Sequence, residues 1–179
     1  PPLLIPLVGN IVAPVVGCRL GFVEVSWALF GLGALLWAMI QPSILHRIAT
    51  GPSMPDRLKP TLGILLAPPA VGSVAFAELT GGFGPGPSAV YGLAAFVAAV
   101  LLTLVPMFRR IPFAISWWGW TFPAAAFAVA TIGFGRDHPG LAPALVGWLV
   151  LIGATAIVAL VAVATLRAAA AGRLLVPEH

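Results

Sequence analysis

The chain has 179 residues, of which 60% are hydrophobic and 8% charged, and its mean hydropathy is +1.07. A water-soluble domain of this length could not hide so much apolar surface, so the composition predicts a membrane protein. The formal net charge of +4 comes from only nine Lys and Arg, scattered near helix ends, so a nucleic-acid partner is not expected. The lone cysteine, Cys18, excludes an internal disulfide and a cysteine-rich metal site.

Six apolar runs follow one another between charged residues, and a helix needs about 20 such residues to cross about 30 Å of hydrocarbon. In chain order they are about 3–18, 24–46, 60–77, the run from the GGFGPGP turn to about 108, 112–133 and about 141–166. They lack the alternating polar positions of a membrane β-barrel. We therefore predict an all-α, polytopic fold, in which residues 1–179 form a single transmembrane domain of six helices paired as three hairpins.

Proline divides these spans into two alternating kinds. The first, third and fifth spans carry a central proline, whereas the second, fourth and sixth carry proline only near their ends; the central ones are Pro14, Pro68, Pro69 and Pro123. A central proline removes a backbone hydrogen bond and kinks the helix. Irregular backbone survives at membrane depth only where it is buried or lines a water-filled cavity. The alternation predicts three kinked inner helices around an axis, with three outer helices behind them.

The prolines also predict which backbone carbonyls lose their usual donor, because each proline clashes with the carbonyl four residues earlier. These carbonyls are those of Asn10, Ile64, Leu65 and Gly119.

The predicted axis is uncharged, because no span carries a charged residue between its ends. Phe122 lies at mid-membrane depth directly before Pro123, where its ring suits either ordinary helix packing or a hydrophobic constriction that gates a pore. Glu78, at the C-terminal end of the third span, suits either an interfacial carboxylate or a proton-coupling group of a carrier. His46 and His138 also lie at helix ends. No catalytic set or metal-ligand spacing is present, so neither an enzyme, a metal site nor a cofactor is expected.

Basic residues are unevenly divided between the two sides of the predicted bundle. The loops after the second and fourth spans and the C-terminal tail hold seven of the nine; they are Arg47, Arg57, Lys59, Arg109, Arg110, Arg167 and Arg173. Because cytoplasmic loops are enriched in Lys and Arg, we expect these loops and the C-terminus to be cytoplasmic in a multi-pass protein of the inner (plasma) membrane. The chain starts directly with an apolar run, so we expect further sequence upstream.

Three ordered segments resemble a known family. The segments IPLVGNIVAPVVG, RLKPTLGILLAPPAVGSVAFAEL and ISWWGWTFPAAAFAVATI are similar to the tellurite-resistance/dicarboxylate transporter family, which includes the slow-type plant anion channels. The resemblance runs over nearly all of the chain and implies ten helices in five hairpins. Proline-kinked inner helices would surround a neutral pore of quasi-fivefold symmetry, and this chain would supply the last six helices. A homotrimer with one pore per subunit is also implied.

The resemblance places residues as well as helices. The family phenylalanine that occludes the pore corresponds to Phe122, and the family prolines correspond to Pro14, to Pro68 or Pro69, and to Pro123. The implied function is transport of small inorganic anions or C4-dicarboxylates by a channel or uniporter. The alternative is a proton-coupled carrier that exports dicarboxylates or toxic oxyanions such as tellurite, with Glu78 as its titrating group in this part of the protein.

Overall fold

A computed structural model describes residues 4–172, apart from the side chains of residues 5 and 6. Helices make up almost all of this range; they are α1 Leu4–Gly17, α2 Val23–Thr50, α3 Ala67–Thr80, α4 Pro85–Thr103, the single turn α5 Val105–Phe108, α6 Thr121–Asp137 and α7 Leu141–Ala170. Two 3-10 helices, Asp56–Leu66 and Ile115–Trp120, lead directly into α3 and α6. The range 4–172 contains no β-strand, and the predicted all-α fold is confirmed.

Four helical rods in this range are long and apolar enough to cross a membrane: α2, residues 56–80, α4 and α7. The helices α1 and α6 are shorter, and the 3-10 helix 115–120 extends α6. Large apolar side chains on α2, α4 and α7 are exposed, as in Met39 (72%), Phe96 (65%) and Leu160 (70%). Soluble monomers rarely expose apolar surface on this scale, so these faces suit lipid. The protein is a polytopic helical membrane protein, as predicted.

The rods form an inner and an outer row. Along the inner row, α1 packs on α3, and α3 packs on α6. In the outer row, α2 contacts both α1 and α3, α4 contacts both α3 and α6, and α7 contacts α6. Burial follows the same division. Of the apolar window in residues 56–80, 78% is buried, compared with 11–17% of the corresponding windows in α2, α4 and α7. Each outer helix thus covers one side of the inner row.

The two ends of the bundle differ in what they carry. The contacts of Arg19 with Glu78 and of Phe83 with Asp137 bring three turns together at one end of the bundle. We call this end the tip end; it holds the turns 18–22, 81–84 and 138–140. The loops 51–55 and 109–114 lie at the other end, which we call the basic end. There the Ser116 hydroxyl donates a hydrogen bond to the backbone carbonyl of Arg57. Three helix–turn–helix hairpins therefore run from the basic end to the tip end and back.

Two of the three inner rods change their helical type in front of their prolines. Pro68 and Pro69 are the second and third residues of α3, and Pro123 is the third residue of α6. The first N–H groups of an α-helix have no partner within the helix, so proline costs no hydrogen bond there. The expectation of a freed carbonyl is wrong for Ile64, because its oxygen accepts the N–H of Ala67 in the 3-10 pattern. Pro14 differs, since it lies inside α1.

Candidate functional site

The α6 rod carries the predicted gate, and three neighbours surround most of it. Ala124 and Ala128 pack with Ala154 of α7, while Phe127 stacks on Tyr91 of α4 with ring centroids 6.0 Å apart. Ala126 packs against the buried cluster formed by α1 and α3. The remaining side, which we call the open face, carries the exposed residues Phe122, Ala125, Val129 and Arg136. No described helix covers this face.

Phe122 points away from the outer row. It lies nine residues before Thr131, and nine residues at 3.6 per turn are two and a half turns, which puts the two on opposite sides of α6. Thr131 is buried and accepts a hydrogen bond from the Tyr91 hydroxyl of α4 at 3.3 Å. Phe122 itself is 49% exposed. Its ring therefore starts the open face, on the side of the inner row that faces away from α4.

The predicted prolines lie at the contacts between rods. Pro14, Pro68 and Pro69 are each less than 2% exposed, and Pro123 is buried. A buried proline ring fills space without bringing a donor that would need a partner. The structure thus places all four prolines inside the packed bundle.

The two 3-10 helices pack against each other through glycine. A Cβ atom added to Gly63 would lie 2.7–2.9 Å from the indole ring of Trp120, and one added to Gly119 would lie 3.4 Å from Thr61 and Ile64. Trp120 also meets Phe108 edge to face, with ring centroids 5.1 Å apart. This contact lies directly before Phe122 in the chain, so it fixes the backbone from which the open face begins. No local sequence pattern predicts this contact, because the partners are more than 50 residues apart.

A second tryptophan ties the same 3-10 helix to the outer row. Trp118 donates its Nε1–H to the Thr165 hydroxyl of α7 at 3.0 Å. Thr165 in turn donates to the carbonyl of Val161, as a threonine in a helix commonly does. The hydrogen bond from Trp118 adds a polar contact to the packing between α7 and the 3-10 helix Ile115–Trp120.

At the tip end, Glu78 forms an ion pair with Arg19 of the preceding hairpin. The Arg19 guanidinium contacts both carboxylate oxygens, with Nε 3.2 Å from Oε2. Hydrogen bonding to Glu78, reinforced by its charge, raises the pKa of Arg19 above its ordinary value. The Glu78 side chain is 26% exposed. It therefore lies at the end of α3, as predicted, and holds the first turn against the second hairpin.

Asp137 makes the corresponding contact between the second and third hairpins. Its Oδ2 accepts the backbone N–H of Phe83 at 2.6 Å. Gly81 and Gly82 have φ of +80° and +144°, a conformation that favours glycine, so the chain turns directly after α3 and presents the Phe83 N–H to Asp137. The GGFG sequence was correctly predicted as a turn, but its carboxylate partner was missed. A signal was present in the acidic residue at the end of the next inner span.

The comparisons with known proteins point to one family. Residues 1–166 match the family described as voltage-dependent anion channel, SLAC1. The S-type anion channel SLAH3 of Arabidopsis thaliana is 32% identical over 72% of this chain and 20% of its own length. The S-type anion channel SLAH2 is 29% identical over 76% of this chain and 26% of its length, and the guard cell S-type anion channel SLAC1 is 26% identical over 89% and 29%, both from the same plant.

The chain spans less than a third of the length of these relatives. The family match covers both 3-10 helices, all four predicted prolines and the open face of α6. It also agrees with the resemblance found from the three proline-containing segments. The chain belongs to the SLAC1 family of voltage-dependent anion channels.

Proposed function

We propose that this chain is the C-terminal part of an anion channel or uniporter. Three inner rods form three of the five sides of a neutral passage; they are α1, residues 56–80 and residues 115–137. The full-length protein has ten helices and assembles as a homotrimer. Small inorganic anions or C4-dicarboxylates pass along the axis, and the Phe122 ring is the constriction. The observation that carries this proposal is the position of Phe122 opposite Thr131, on the side away from α4.

A passage without charged side chains suits conduction, because a permeant ion must leave the passage as well as enter it. An intramembrane charge of opposite sign would hold an anion, whereas conduction needs binding weak enough for release. Ala126 lies one turn after Phe122, on the side of α6 that faces α3, and its side chain is small. In the proposed passage, the Phe122 ring narrows the path and a small apolar side chain lies beside it, so no charge in this region holds a passing anion.

Recording from the full-length protein in anion gradients tests this function. We expect the reversal potential to follow the anion gradient, by about 59 mV for each tenfold step of a monovalent anion, and to ignore the cation gradient. A full-length protein that carries no anion current, or whose reversal potential follows cations, would overturn the proposal.

The alternative carrier mechanism makes a different prediction for Glu78. Its carboxylate is held by Arg19 at the tip end, outside the middle of the span, so we expect Glu78→Gln to leave the reversal potential unchanged when a pH gradient is imposed. Imposing the same pH gradient on the unmodified protein is the control. Flux that depends on the pH gradient, and loses that dependence in Glu78→Gln, would favour the carrier.

Cys18 gives a test of the proposed orientation, with the tip end outside the cytoplasm. It lies in the turn 18–22 at the tip end and is partly exposed. In intact cells, we expect a membrane-impermeant maleimide to label it, because the basic loops at the other end should face the cytoplasm. Cys18→Ser is the control for other thiols. Labelling of Cys18 only after the membrane is permeabilised would reverse the orientation.

A further inference from the structure

The last turn of α6 carries an arginine on the open face. Phe122, Val129 and Arg136 recur at seven-residue intervals, so they share one side of the helix. Phe122 is 49% and Val129 56% exposed, and Arg136 is exposed too. The open face thus runs from an aromatic ring, through apolar side chains, to a guanidinium at the tip end.

Other charges at the tip end are directed elsewhere. Glu78 is bound to Arg19, and Asp137 faces the turn 81–84, where it accepts the Phe83 N–H. Glu24 lies at the start of α2, which packs on α1 and α3. The only other titratable group nearby on this rod is His138, whose ring stacks on Phe134 with centroids 4.2 Å apart. Arg136 forms no ion pair within residues 4–172, so its charge is available to the open face.

We propose that Arg136 attracts anions into the tip-end mouth of the passage, which makes it a residue that sets the rate of anion entrance. This rests on the proposed function. Arginine and lysine at the mouth of a pore favour anions, and a charge beside a low-dielectric wall raises the local concentration of its counter-ion. Because the rest of the inner rods are uncharged between their ends, one guanidinium changes the field at this mouth appreciably.

The charge effect has a salt dependence that a structural role lacks. The Debye length is about 30 Å at 0.01 M salt and about 3 Å at 1 M, so mobile ions hide the charge only at high salt. Arg136 also lies in the last turn of α6, where a cation stabilises the helix through its dipole. That second role would change the amount of folded protein, but not how the current of each channel varies with salt.

The test records full-length channels at about 0.01 M and about 1 M chloride. For Arg136→Gln we expect anion flow that starts at the tip end to fall about two- to fourfold at low salt and to match the unmodified protein at high salt. Flow that starts at the basic end should change less. Arg136→Lys keeps the charge and should keep the low-salt flow, and Arg167→Gln removes a charge at the basic end without altering tip-end flow.

The possible outcomes distinguish the proposed role of Arg136 from the proposed function of the protein. A conducting channel in which Arg136→Gln and the unmodified protein have equal low-salt flow overturns the role of Arg136 and leaves the proposed function intact. A reduction that is equal at both salt concentrations assigns Arg136 a purely structural role and also overturns it. A full-length protein that carries no anion current overturns both.

Discussion

Phe122→Ala in the full-length protein should raise the proposed anion conductance by about tenfold or more, since removing even about 1.4 kcal/mol of barrier gives that factor. The ring begins the open face and points away from the outer helices, so its removal widens the proposed constriction without emptying a packed core. Single-channel or whole-cell current, normalised to the amount of protein at the surface, measures the effect.

The chain offers a matched control for this substitution. Phe96 is also a phenylalanine, lies on the outer helix α4 and is 65% exposed, on a surface suited to lipid. Phe96→Ala should therefore leave the conductance unchanged. If Phe122→Ala and Phe96→Ala conduct alike, Phe122 is not the constriction, whatever the permeant anion.

Gly63→Ala should destabilise the bundle by about 1–3 kcal/mol, because overpacking a close contact forces neighbouring atoms to move. The added Cβ would lie 2.7–2.9 Å from the ring of Trp120, closer than Cβ atoms approach other atoms. Trp120 is itself fixed against Phe108, so it has little room to move away. The apparent melting temperature of the full-length protein in detergent should fall by several degrees.

Gly92→Ala is the control for the effect of alanine itself. Gly92 lies in α4, and a Cβ atom there would meet nothing within 4 Å. Alanine favours helix over glycine by about 1 kcal/mol, so this variant should be as stable as the unmodified protein or more stable. A Gly63→Ala protein that melts no lower than Gly92→Ala would mean that the two 3-10 helices are not tightly packed in the full-length protein.

Sequence patterns predicted the helical class, the hairpins and the alternation of the rods, because each depends on local composition and on the spacing of proline. The boundaries were less accurate: α6 extends to Asp137, four residues beyond the predicted end, and residues 112–114 before the 3-10 helix are not helical. Charged residues mark where a span must stop being apolar, whereas a helix can continue beyond that point into water.

The form of the break in the rods of α3 and α6 could not be predicted. Proline indicates that the α-helical pattern fails upstream of it, but not whether the backbone bends or changes to 3-10 geometry. The choice depends on distant partners such as Gly63 and Trp120, which let two narrow helices lie close together. The role of Phe122 likewise stays a prediction. The structure shows that its side chain lies on the open face of α6, and the proposed recordings test its effect on conduction.

The 3-10 geometry of the two inner rods that contain α3 and α6 ties their length to the thickness of the bilayer. A 3-10 helix rises about 2.0 Å per residue and an α-helix about 1.5 Å. On conversion to α-helix, the eleven residues of Asp56–Leu66 would therefore shorten by about 5.5 Å, and the six of Ile115–Trp120, directly before Phe122, by about 3 Å. A hydrocarbon layer thinner than about 30 Å would favour the shorter form and a thicker one the longer form. Lipid acyl-chain length is therefore a mechanical variable that acts on the same backbone that carries Phe122.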